Sequence, residues 1–427
     1  MLDGARHTIA TGLGTRVFFG WVMVAAAGLG IFVSGPGQSH TFSVFVGPIS
    51  AELGISNTEI ASAYAVATVA AAFLLPLMGK QVDRLGPRRA LIYISFGLGL
   101  ACLFFGAAAN FLWLVIGFGL LRFLGQGSMM LGSANLVAHW FTAKRGIAMS
   151  LMALGFGLSM AVHPKLGHWL IEIMGWREAW VVLGLTTWLL MLPVLVLIVH
   201  DKPEDLGLRP DNAAPVAETA NDTPVLSGPT KAEALRHSSF FILCACWFAF
   251  SSLVTTLHYH QFNILTGQGI DADWATNAFT ISAIAMVCAM PLVGRACDKI
   301  RTRIVLAIGL CVQAGSLIAV TQVTSTPSLI AYAVIFGLNN AFTMTLFGYL
   351  WPRYFGRKHL GQIQGTGQMV AVIGASLGPL PVSYAFDVLG DPRMTLMALA
   401  AFPVLMAAIA VLALRTHPAT TGTEHLE

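Results

Sequence analysis

Pro76-Leu77-Met78-Gly79, then Asp83-Arg84, returns later in the chain as Pro291-Leu292-Val293-Gly294, then Asp298-Lys299. The same shift of 215 positions carries Gly54-Ile55 onto Gly269-Ile270, Gly146 onto Gly361, Pro164 onto Pro379 and Gly175 onto Gly390. Glycine, proline and aspartate are the residues that mark turns, kinks and caps. One constant offset across all of them means two copies of one structural unit.

Composition says what kind of unit. Hydrophobic residues make up 56% of the 427 and charged residues only 10%, where soluble domains carry about 25% charged. The chain reads as a polytopic membrane protein, and its net charge of +4 gives no reason to expect a nucleic-acid partner. The polar first residues, and a first apolar stretch without a clear cleavage site, argue against a cleaved signal peptide. Cys102, Cys244, Cys246, Cys288, Cys297 and Cys311 lack metal-site spacing and are expected to be buried thiols, neither disulfides nor ligands.

Apolar runs long enough to cross about 30 Å of hydrocarbon fall at 17–49, 59–78, 90–109, 111–138, 146–173 and 176–199. In the second copy they fall at 240–264, 275–293, 304–323, 328–350, 361–388 and 394–414. The expected architecture is therefore an all-α membrane protein of twelve transmembrane helices in two pseudo-symmetric six-helix bundles. The bundles cover 1–199 and 240–427, with a polar linker over 200–239. With the N-terminus inside, the cytoplasmic segments hold 20 of the 24 Lys and Arg residues; only Arg122, Lys165, Arg177 and Arg393 lie elsewhere. The positive-inside rule then puts both termini in the cytoplasm of an inner (plasma) membrane.

The loop after the second span reads Gly79-Lys80-Gln81-Val82-Asp83-Arg84-Leu85-Gly86-Pro87-Arg88-Arg89. It closely resembles the signature loop of the major facilitator superfamily, G-x-x-x-D-R-x-G-x-R-R. Arg122-Phe123-Leu124-Gly125-Gln126-Gly127 is similar to that family's fourth-helix motif. Trp140-Phe141-Thr142-Ala143-Lys144-Arg145-Gly146, Gly175-Trp176-Arg177 and the run Tyr354 to Gly361 resemble the branch of monocarboxylate and oxalate/formate carriers. The resemblance covers nearly the whole chain. It implies the major facilitator fold, secondary transport by alternating access, no cofactor, and a chain that suffices as a monomer. It also implies that Asp83, Arg84 and Arg88 form a gating latch near the start of the eleventh helix, around Gly361. Topology enforcement is the plainer role for the arginines, and anionic lipid headgroups are a further partner for them.

The predicted core is short of acid. Carboxylates fall at or near helix ends, whereas Arg122 lies eleven residues into its span. A cation at that depth costs several kcal/mol unless water or a partner meets it. An anionic substrate, best a carboxylate paired two-fold with the guanidinium, is one answer; a coupling role or simple packing are the others. Gln126, one turn on, shares its face. In the fifth span His163 and Lys165 are candidates for a positive, pH-sensitive gate, though Lys165 also fits a side chain snorkelling to the interface.

The resemblance assigns the cavity to the first, fourth, seventh and tenth helices. Their polar residues include Gln38, His40, Thr255, His258, Tyr259, Asn339, Asn340 and Thr343. Gly35-Pro36-Gly37 is expected to interrupt the first helix and free backbone groups. Adjacent Asn339 and Asn340 cannot face one way, so at least one should bond a neighbouring helix.

Two departures bear on substrate. The eighth span has no charge and the eleventh no lysine, so the lactate or oxalate mechanism of that branch does not carry over. The first span has no acid, which weakens a drug/proton antiporter reading. The expected function is transport of a small, monocarboxylate-like organic anion, with a proton carried on a histidine (His40, His258 or His260) or on the substrate. Export of amphipathic or aromatic compounds is the alternative. Neither a nucleotide loop nor a catalytic triad is found, so an enzyme is not expected.

Overall fold

The computed structural model describes residues 18–141, 144–212, 228–355 and 360–415. Among these, every regular element is helical. Eleven helices are long and apolar enough to cross a membrane, so the chain is a multi-pass membrane protein. It divides into two compact units: Met1–Ile55 with Val66–Asn221, and Ser56–Ala65 with Asp222–Glu427.

In the first unit the opening span is in pieces. Helix α1 (Gly20–Val33) gives way to a 3₁₀ turn (Gly35–Gly37), then α2 (Ser39–Phe42) and α3 (Val46–Leu53). Pro36 has no N–H to continue the ladder, and Gln38 is extended at φ −97°, ψ 147°. The interruption expected at Gly35-Pro36-Gly37 is present and longer than one turn. Then follow α4 (Asn57–Leu85), α5 (Pro87–Gly106) and α6 (Phe111–Leu121). Asn110 caps α6 by accepting the Trp113 N–H at 3.0 Å. A π-helical stretch (Arg122–Met129) leads into α7 (Met130–Trp140); α8 (Arg145–Met174) and α9 (Trp176–Leu197) complete the unit.

Between helices in lipid the hydrophobic effect supplies little, so close packing and polar bonds decide the arrangement. The first span meets the π stretch backbone to backbone. A Cβ on Gly37 would lie 2.4 Å from the Leu121 carbonyl oxygen and 2.8 Å from Gly125 Cα. Only glycine permits that approach. Beyond the break, Phe42, Phe45, Phe105, Phe118 and Trp180 are fully buried and pack ring on ring, with Phe45 and Trp180 centroids 4.7 Å apart.

The second unit is more regular. After the short α10 (Lys231–Ala234), α11 (Ser238–Gly267), α12 (Ala272–Lys299), α13 (Thr302–Thr321) and α14 (Thr326–Phe355) are each continuous. The span expected over 361–388 is present, as α15 (Leu360–Leu377) and α16 (Pro379–Val388) joined at Gly378, whose φ −53° and ψ −47° are helical; α17 (Arg393–Ala413) ends the described chain. Its core gathers residues such as Leu257, Leu317, Tyr332, Phe336 and Leu396. All six cysteines are free thiols. Cys288 and Cys311 are exposed rather than buried, because they sit on outward faces of membrane helices, where a thiol needs no protein neighbour.

Candidate functional site

Arg122 opens the π stretch and is 3% exposed. Its Nη1 donates to the Gly37 carbonyl at 3.0 Å and lies 3.5 Å from Ser39 Oγ. The geometry follows from two local irregularities. The broken first span releases the Gly37 carbonyl from helical bonding, and the π-helix, which adds a residue to the turn, sets the arginine opposite it. Both acceptors are neutral dipoles. They satisfy N–H directionality and are themselves uncharged, and within the apolar helices of this half the carboxylates stand at or near helix ends, as Glu52, Glu59, Asp83, Glu172 and Glu178.

Around this pair the first span is polar and buried. Gln38 Nε2 donates to Ser34 Oγ at 3.1 Å, and Thr41 Oγ1 to the Gly35 carbonyl at 2.6 Å. His40 reaches α8, its Nε2 lying 3.1 Å from Ser159 Oγ. The same hydroxyl is 3.2 Å from Nδ1 of His163, one turn along. Gln38, His40, Arg122 and His163 thus belong to one unit, and Gln126 is half-buried on the same π stretch. Lys165 is exposed.

The second unit uses its polar residues differently. Asn339 Nδ2 donates to Ser316 Oγ of α13 at 3.3 Å, while Asn340 Nδ2 bonds the Phe336 carbonyl of its own helix at 2.8 Å. Thr343 Oγ1 donates to the Asn339 carbonyl at 3.0 Å. His258 packs on the Phe336 ring and Tyr259 on Tyr64. Thr255 is buried. His260 Nε2 lies 3.0 Å from the Pro379 carbonyl and 3.1 Å from Ser383 Oγ, at the junction of α15 and α16.

Of the gating residues, the Asp83 side chain lies outside the described residues, as do residues 356–359 ahead of α15. Arg84 is exposed. Arg88 is engaged inside the first unit. Its Nε and Nη2 donate to the Leu195 and Val196 carbonyls at 2.9 and 3.1 Å, closing the end of α9. Arg177, in the first turn of α9, returns the favour to α5: its Nη1 donates to the Gly106 and Ala108 carbonyls at 2.9 and 2.7 Å. Two antiparallel helices therefore each satisfy the other's orphan carbonyls with an arginine. Arg177 also donates to Glu52 at 2.8 Å. That bond, and then the one from Trp176, hold the Glu52 carboxyl below its ordinary range.

Two residues with structural weight escaped the sequence reading. Ser159 joins the two histidines; the signal available was its i, i+4 spacing from His163. Asp387, in the second unit, caps α4 by accepting the Thr58 N–H at 2.6 Å, and the Asn57 N–H and Nδ2 at 3.2 and 3.0 Å. A carboxylate suits a helix N-terminus, but a pairing across 330 positions leaves no local trace.

The sequence profile described as "Major Facilitator Superfamily" matches residues 18–267 and 258–426. The chain belongs to the Major Facilitator Superfamily. Among similar proteins, monocarboxylate transporter 13 of Bos taurus is 25% identical over 90% of this chain and 87% of its own. A probable sulfoacetate transporter of Cupriavidus necator is 23% identical over 82% and 83%. The crystal structure of a bacterial homologue of the human lysosomal transporter Spinster superposes with a TM-score of 0.69 at 16% identity, over 95% of this chain and all of the other. This superfamily member is therefore a transporter, not an enzyme, and resembles the monocarboxylate branch.

Proposed function

We propose that this transporter moves a small organic anion, with Arg122 as the cationic element of recognition and net movement coupled to protons. The observation that carries the reading is Arg122: a buried guanidinium held against neutral acceptors at a helix break, in a half-chain whose helices carry carboxylates only at their ends. An incoming carboxylate or sulfonate brings the opposite charge, and a planar guanidinium binds it through paired N–H donors. Similarity to a probable sulfoacetate transporter and to monocarboxylate transporter 13 supports an organic anion as the class. Gln126, Gln38 and His40 add polar contacts beside it. The distribution of Lys and Arg supports cytoplasmic termini in a plasma membrane.

Thermal-shift screening of the purified protein tests the class, because a ligand of the folded state raises the apparent melting point. Lactate, formate, oxalate and sulfoacetate are compared with neutral and cationic aromatics. Stabilisation by an anion that disappears in Arg122→Gln is the expected result. Stabilisation only by neutral or cationic aromatics contradicts it and favours export of amphipathic compounds.

A further inference from the structure

His40, Ser159 and His163 make a continuous polar chain, and no role above accounts for their being joined. All three are buried. Ser159 Oγ stands between the two imidazoles, 3.1 Å from Nε2 of His40 and 3.2 Å from Nδ1 of His163. The walls are apolar: the His40 ring meets Phe156 edge-on at 5.5 Å, and His163 lies 4.9 Å from the Phe32 ring. Gly35 leaves the space for His163, since a Cβ there would sit 2.4 Å from the imidazole.

The bonding fixes one end of the chain. Nδ1 of His163 also lies 3.1 Å from the Ser159 carbonyl, which can only accept, so Nδ1 carries the hydrogen. Ser159 Oγ accepts from His163 and keeps one hydrogen and one further lone pair, so it serves Nε2 of His40 in either tautomer. With the hydrogen of His40 on Nδ1, Nε2 is the basic lone pair at the head of the chain, one residue from Ser39, which Arg122 approaches at 3.5 Å.

We propose that this His40–Ser159–His163 chain is the site that takes up a proton when an organic anion binds at Arg122. The inference rests on the anion reading above. The step is a proton transfer alone. The proton adds to Nε2 of His40, and the Ser159 hydroxyl turns from donor to acceptor. The Nδ1–H of His163 keeps its bond to the Ser159 carbonyl. Linkage comes from charge: an imidazolium on the residue after Ser39, which the guanidinium approaches at 3.5 Å, is opposed by Arg122 until an anion joins them, and the anion in turn binds better to two cations than to one.

Other ionisable groups on the elements packed about the chain are few. Lys165, His168 and Glu172 lie further along α8, with Arg145 at its start. Arg177 and Glu178 open α9, and His139 lies near the end of α7. Helix α1 and the 3₁₀ turn contain none, and α2 has only His40. The second unit's comparable pair is differently disposed. Nε2 of His260 faces the Pro379 carbonyl at 3.0 Å, so it carries a hydrogen and offers no lone pair to Ser383.

Calorimetric titration of the full-length protein with sulfoacetate and with lactate, in phosphate and in Tris at one pH, counts protons taken up per anion. Wild type is expected to take up about one proton per anion bound, by linkage. Ser159→Ala should still bind anion while the count falls towards zero; in His40→Gln the count should fall likewise and the anion bind more weakly, because a contact and a cation are lost. Ser383→Ala should leave it unchanged. Anion binding without proton uptake in wild type, or an unchanged count in Ser159→Ala and His40→Gln, overturns the proton site alone. Absence of binding by either anion overturns the anion reading and the linkage with it.

Discussion

The two units descend from one pattern yet treat the same position of it differently. In the first, the opening span is interrupted at Gly35-Pro36-Gly37 and the Gly37 carbonyl is taken by Arg122 at 3.0 Å. In the second, the corresponding residues Phe250, Ser251 and Ser252 sit inside the unbroken α11, and a buried side chain of that helix, His260, meets the Pro379 carbonyl at 3.0 Å. The interruption frees a carbonyl, and that carbonyl finds a side chain from another span, as a low-dielectric interior demands. The difference is charge. A guanidinium meets the carbonyl in the first unit and an imidazole the carbonyl in the second. At the repeat position of Arg122 the second unit has Gly337.

The comparison breaks most severely at Arg122. Arg122→Ala removes a charged donor from a buried carbonyl, and a loss of about 1.5–3 kcal/mol is expected, read as a lower melting point together with lost anion uptake. The steric side of the same contact comes next. Gly37→Ala puts a Cβ against backbone of the neighbouring helix and should cost about 1–3 kcal/mol, measured by thermal unfolding. Gly378→Ala should behave alike, because its Cβ would lie 2.2 Å from the Ser252 carbonyl oxygen.

In the second unit, His260→Ala strips the Pro379 carbonyl of a neutral partner. A smaller loss of about 1 kcal/mol is expected, with anion binding retained in the same thermal-shift screen. Asp387→Ala uncaps α4 at a similar cost of about 0.5–2 kcal/mol, visible as faster amide exchange at Asn57 and Thr58.

The smallest effect concerns Glu52. Its carboxyl is held below the ordinary value of 4.5 by Arg177 and Trp176. The stability it lends is therefore present above that value and lost as pH falls through the lower folded-state value. Glu52→Gln should flatten the melting-point profile in that acid range and leave it unchanged at neutral pH.

How legible was this in the sequence? Pattern-borne features were. The constant offset, the apolar runs and Gly35-Pro36-Gly37 announced repeated helices and one interruption, because glycine and proline act on the backbone where they stand. Arg122 was conspicuous as a charge where charges are expensive. What stayed hidden depends on which faces meet. The bonds by which Arg88 closes the end of α9 leave no local trace, because they arise from α5 and α9 running antiparallel with each arginine beside the other's last carbonyls. Ser159 is an unremarkable helix residue until His40 is brought to 3.1 Å from it. Pro164 lies inside a continuous α8, and its counterpart Pro379 follows a helical Gly378 within one span, so proline alone does not decide a break.

Recognition of an organic anion through Arg122 is the central claim, and flux across a membrane tests it most directly. Reconstituted protein loaded with unlabelled sulfoacetate or lactate is given the labelled anion outside, with no pH gradient, so that exchange reports recognition without net proton movement. The expected result is saturable exchange of at least one anion in wild type, strongly reduced in Arg122→Lys at equal protein, since lysine keeps the charge and loses the planar fork. Exchange at the wild-type rate in both Arg122→Lys and Arg122→Gln would contradict the account and leave Arg122 as the keeper of the helix break alone.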